Sequence, residues 1–104
     1  MRYVIVFVTA PNKREARRIG KALLEKRLIA CVNIIDGMDS FFWWMGKRER
    51  ARECLMLAKT RKALLKRVIG AAKKIHPYKV PEIIAVPVTE GHGPYLRWIK
   101  EVTS

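Results

Sequence analysis

The sequence is short of acids, histidine and cysteine, and each shortage excludes something. Only 9 Asp and Glu stand against 22 Lys and Arg in 104 residues, a formal net charge of +13. So basic a chain favours anionic partners such as nucleic acid, phosphorylated ligands or acidic lipid surfaces, and it disfavours passive accumulation of free cations. Of the two histidines, His76 and His92, neither has a nucleophile beside it in sequence. No G-x-S-x-G, glycine-rich phosphate loop, H-E-x-x-H or C-x-x-C occurs, so the common catalytic signatures are missing and the chain is expected not to be an enzyme. Cys31 and Cys54 both sit in apolar, strand-like runs, where a thiol behaves as a small buried hydrophobe rather than half of a disulfide. No apolar run approaches the roughly 18 residues of a membrane span, and Met1-Arg2-Tyr3 leads straight into a strand-like segment rather than a signal peptide. The expected location is the cytoplasm.

What is present fills one domain, residues 1–104, with a single core. Tyr3 to Thr9 is a β-branched and aromatic run without polar alternation, the pattern of a central strand covered on both faces. Asn12 is placed to cap a helix with Glu15 three residues on, and Ala16, Ile19, Gly20, Leu23, Leu24 and Leu28 follow at helical spacing. Ile29 to Ile35 is the second strand, interrupted by a bulge or bend at Asp36-Gly37 and extended by Ser40 to Met45. Gly46-Lys47 is the expected turn into a third strand, Arg48 to Lys59. If that turn pairs 45 with 48, Cys54 lies opposite Asp39. Thr60 is placed to cap a second helix that ends at His76-Pro77, because a residue before proline avoids the α region. Glu82 to Val88 is a fourth strand, and Pro87 puts it at an edge. Pro94 starts a short last helix carrying Tyr95, Trp98, Ile99 and Val102.

The order is β-α-β-β-α-β plus a C-terminal helix: an α+β, ferredoxin-like arrangement with an antiparallel sheet, the first and third strands central. Two segments stand out on it. Phe41-Phe42-Trp43-Trp44-Met45 places five bulky apolar residues at a hairpin end, where a domain this small covers one face only. The rest is a symmetric self-interface, unless the terminal helix with Trp98 folds over it. His76-Pro77-Tyr78-Lys79-Val80-Pro81-Glu82 concentrates imidazole, phenol and carboxylate between two prolines. One imidazole and one carboxylate are fewer than a dedicated Zn or Cu site uses, so a metal there needs ligands from elsewhere. The RNA-recognition module shares the element order, but it stacks bases on its first and third strands, and Cys54-Leu55-Met56-Leu57 has no aromatic. The basic residues spread instead over both helices and the hairpin, which fits general phosphate affinity.

An ordered set of residues then resembles the CutA divalent-cation-tolerance family. Its carriers are Thr9-Ala10-Pro11, Leu28, Ala30-Cys31-Val32-Asn33, Ser40, Trp44, Gly46-Lys47, Lys59-Thr60, His76-Pro77-Tyr78, Val80-Pro81-Glu82-Ile83, Gly91, Tyr95-Leu96 and Trp98. The resemblance implies a ferredoxin-like fold assembled into a tight homotrimer through extended hairpins and sheet edges. It also implies a role in tolerance of divalent metals, copper above all. Copper-binding relatives are thought to use a cysteine on the first strand and a histidine pair at the end of the second helix; here Val8 and Ile75 take two of those positions and His76 the third. The family's acidic residues around the hairpin are replaced by Met45, Arg48, Arg50 and Arg52.

The resulting expectation is a trimeric binding protein with a pocket between subunits built from Cys31, Trp44, Lys59, Tyr78 and Glu82. His76 is the metal or ligand contact, with copper or another divalent ion as the possible cofactor. Lys59 is an anion partner, Glu82 an acceptor or weak ligand, and Tyr78 and Trp44 the apolar walls. The alternatives are a basic trimeric scaffold for nucleic acid or another polyanion, and a small-anion sensor resembling the trimeric nitrogen-regulatory proteins by architecture.

Overall fold

The computed structural model describes residues 2–104. Along the chain run β1 (Tyr3–Ala10), α1 (Lys13–Glu25), β2 (Cys31–Trp44), β3 (Lys47–Arg61), a one-turn 3-10 segment (Lys62–Leu64), α2 (Leu65–Ile75), β4 (Ile83–Pro87) and α3 (Gly93–Val102). One sheet holds the strands in the order β2-β3-β1-β4, with every neighbouring pair antiparallel. This is the ferredoxin-like arrangement, with β1 and β3 central and Pro87 on an edge strand, where a missing N–H costs the ladder nothing on its outer side.

Period-two alternation decides which face is covered. Val4, Val6, Val8 and Ala10 of β1 and Cys54, Met56, Ala58 and Thr60 of β3 are buried, packed in one core with Ala16, Ile19 and Leu23 of α1 and Val68 and Ala72 of α2. The apolar run of β1 predicts cover on both faces; within the chain only one is covered. Register puts Ile5, Phe7, Leu55, Leu57, Ile84 and Val86 together on the other side, where α3 packs at the end near Arg61 and Thr103 and Tyr78 reaches Glu53 at the opposite end. The sheet therefore presents a contiguous, half-open apolar face.

Local chemistry sets the ends of the elements. Asn12 caps α1 by accepting a hydrogen bond from the Glu15 amide at 2.9 Å. Thr60 caps nothing: it lies in β3 and donates its hydroxyl to the Leu28 carbonyl at 2.6 Å, so the helical run begins one residue past Arg61. At the hairpin tip Met45 (φ 50°) and Gly46 (φ 79°) both take positive φ, the signature of a two-residue turn whose twist suits the flanking strands. Trp44 therefore pairs with Lys47, one residue earlier than a Gly46-Lys47 turn requires. The register shifts again between Ile35 and Met38, where Gly37 supplies φ 76° and the expected bulge forms. With both shifts in place Cys54 faces Asp36, not Asp39: its thiol donates to Asp36 Oδ1 at 3.1 Å.

Candidate functional site

Beyond the bulge, β2 and β3 leave the helices and run on as an arm. Pairing places Met38, Ser40, Phe42 and Trp44 on the face of the arm continuous with the open face of the sheet, opposite Glu53, Ala51, Glu49 and Lys47. The facing wall is the segment 77–82, which leaves α2 because His76 takes an extended conformation before Pro77. Between arm and segment lies a groove of about 860 Å³, within the size range of small-molecule sites. Phe42, Trp44 and Tyr78 give it aromatic walls, and Glu53, Lys79 and Glu82 supply its charge.

Two carboxylates against one lysine make this groove acidic in a chain of net charge +13. Glu53 is 7% exposed and accepts a 2.6 Å hydrogen bond from the Tyr78 hydroxyl. Burial, reinforced by that bond to a carboxylate, pushes the Tyr78 phenol well above its ordinary value, so it stays a donor throughout the physiological range. The Asp39 side chain is on the other face of the arm, across from Arg52 and 3.6 Å from the Arg50 guanidinium. Such a constellation attracts a cation to oxygen donors beside aromatic faces.

His76 sits behind this wall rather than in it. Its Nδ1 accepts from the Tyr78 amide at 3.0 Å, which leaves Nε2 to carry the proton and donate to the Thr9 carbonyl at 2.7 Å. With both nitrogens engaged and 8% of its surface exposed, His76 fixes the entry of the 77–82 segment. It ligates a metal only by giving up one of these bonds. Among the described residues no three His, Cys, Asp or Glu side chains come together as a metal site. Val8, under the helices, and Ile75 bring no donor atoms to it.

Of the six residues nominated from sequence, Trp44, Tyr78 and Glu82 line the groove and His76 backs it. Cys31 and Lys59 lie elsewhere, cross-strand neighbours on the open sheet face. The Cys31 sulfur is 3.5 Å from the Tyr95 hydroxyl; their hydrogen bond, with partial burial, raises the Tyr95 phenol to about 12. Lys59 donates to Asn33. Trp98 stacks on Tyr95 at 5.5 Å between ring centroids, and the hairpin stays uncovered, with Phe41 70% and Trp43 74% exposed. Sequence reasoning missed Glu53 and Lys79. The signal for Glu53 was a carboxylate immediately before the apolar run Cys54 to Leu57, where burial demands a partner.

The profile of the CutA1 divalent ion tolerance protein family matches residues 4–102. The chain belongs to the CutA1 divalent ion tolerance family. It is 45% identical to Protein CutA of Homo sapiens over 97 residues, 93% of this chain and 54% of that protein, and so spans about half the length of that relative. Identity to the divalent-cation tolerance protein CutA of Thermus thermophilus is 43% over 99 residues, 95% of this chain and 96% of the other. The solved structure of the periplasmic divalent cation tolerance protein CutA from Archaeoglobus fulgidus superposes with a TM-score of 0.95 at 44% identity, covering 98% of this chain and 99% of that one. Among the described residues no helix is long and apolar enough to cross a membrane.

Proposed function

We propose that this chain is a non-enzymatic, homotrimeric binding protein that serves in the response to divalent metal ions and takes them up in the groove between the hairpin arm and segment 77–82. The observation that carries this reading is the groove's charge, opposite in sign to that of the chain as a whole. Carboxylate oxygens accept many divalent ions, and affinity among first-row metals rises toward Cu²⁺ for almost any oxygen or nitrogen site. Copper is therefore the ion expected to bind most tightly. Glu82 and Glu53 supply oxygens, Trp44 and Tyr78 form the walls, and His76 positions Tyr78.

Self-association follows from the half-open sheet face and the uncovered arm. Contiguous exposed apolar surface of this kind marks an interface, and a symmetric oligomer is the commonest way to close it. In a trimer the open face carrying Cys31 and Lys59 meets a neighbour, and the two halves of the nominated pocket join only there. Both cysteines are free thiols, the state a reducing compartment maintains, which supports a cytoplasmic location for this member.

The test is light scattering and calorimetric titration of metal-stripped protein with Cu²⁺ and Zn²⁺. The expected result is a mass of three chains and saturable uptake that weakens about tenfold or more in Glu82→Gln. Equal affinity in that variant, or a monomer that takes up no ion, refutes the reading.

A further inference from the structure

At the other end of β1 lies a second concavity of about 500 Å³, lined by Arg2, Tyr3, Arg61, Lys62, Ala63 and Lys100. Four of its six lining residues are cations and none is acidic. The topology gathers them: Tyr3 pairs with Arg61 across β1 and β3, the Lys62 amide donates to the Arg2 carbonyl at 2.7 Å, and α3 brings Lys100 over the same edge. Among the described residues the ion pairs are Arg18–Glu15 and Arg50–Asp39, so none of these four cations has an acidic partner. Arg61 is also held in place. Its Nε donates to Thr103 Oγ1 at 2.9 Å and its Nη2 to the Thr103 carbonyl at 2.8 Å, so little side-chain freedom remains to be lost on binding.

We propose that this cavity binds a linear phosphate chain, either inorganic or carried on a nucleoside. Four like charges around one hollow repel one another, and a multiply charged anion relieves that repulsion where a single carboxylate relieves little of it. Arginine and lysine together suit phosphate oxygens, the first as a fork and the second as a point charge. A hollow of this volume takes a small ligand. A nucleic-acid backbone would instead track the exposed basic faces of α1 and α2. Tyr3 offers a ring beside the cations on which a base can rest.

The probes are inorganic triphosphate and adenosine triphosphate, titrated calorimetrically at constant ionic strength into the metal-free protein. Saturable binding at one per chain is expected. Lys62→Gln/Lys100→Gln should weaken it about tenfold or more, whereas Arg17→Gln/Lys21→Gln, which removes the same charge from α1 outside the cavity, should change it less than about twofold. Equal affinity for the two probes assigns the site to the phosphate chain alone; tighter binding of the nucleotide, reduced by Tyr3→Ala, assigns it to a nucleoside phosphate. Equal losses in both double variants mean diffuse attraction to a polycation, and absence of saturation means no site; either overturns the proposal. Neither result depends on whether the acidic groove binds a metal.

Discussion

The two concavities make an instructive pair. Both open at an end of β1, with Thr9 lining one and Tyr3 the other, about 20 Å apart along an extended strand. One is acidic with aromatic walls and the other is basic with a single aromatic ring. Their difference shows that a net charge of +13 says little about any one site: exposed lysines and arginines set the total, while one buried carboxylate, Glu53, and one exposed carboxylate, Glu82, set the local field. Within a Debye length of about 8 Å at physiological salt, neighbours outweigh the sum.

Reversing the sign of one member is the strongest way to break the pair. Glu82→Lys should reduce Zn²⁺ affinity about a hundredfold, roughly a factor of ten for the carboxylate lost and another for the cation gained, and leave triphosphate affinity unchanged by calorimetry. Next in size is the wall behind the groove. His76→Ala removes two buried hydrogen bonds and a packed ring, and should cost about 3 kcal/mol of stability in urea unfolding even without metal. A residue whose only role was ligation would leave the metal-free protein unaffected. Tyr78→Phe strands a buried carboxylate oxygen of Glu53 and should cost about 1–2 kcal/mol by the same measurement.

The smallest effect is on pH dependence. Burial, and then the hydrogen bond to Asp36, raises the Cys54 thiol from 9.0 to about 11. A group whose folded pKa is raised contributes stability that is present below 9 and is lost as pH climbs from there toward 11, because the unfolded thiol ionises first. Urea midpoints should therefore fall between pH 8.5 and 10.5, with a shallower slope in Cys54→Ala. An identical slope in that variant would remove the Cys54 contribution.

Much of the fold is legible in the residues. The strand runs, the Asn12 cap, the break at His76-Pro77 and the edge placement of Pro87 each follow from local chemistry. What the pattern misplaces is register. Placing the turn at Met45-Gly46 requires a non-glycine residue at φ 50°, a cost that tertiary pairing outweighs and that no local signal announces. That turn, together with the bulge at Gly37, moves Cys54 from Asp39 to Asp36. The run in β1 predicts cover on both faces because its side chains alternate apolar with apolar, and composition does not say whether the second cover comes from the same chain. At the site, Trp44, Tyr78 and Glu82 were legible as a compact motif with an aromatic arm. Glu53 was not, since it meets the 77–82 segment only through the fold.

The most direct test of two independent sites of opposite charge is amide NMR of the isotopically labelled protein, titrated separately with Zn²⁺ and with inorganic triphosphate. The account predicts that Zn²⁺ shifts amides in 38–44, 51–55 and 77–82, and that triphosphate shifts those of 2–3, 61–63 and 100. Shifts from both ligands on one common set of amides, or shifts that rise without saturating, would contradict it.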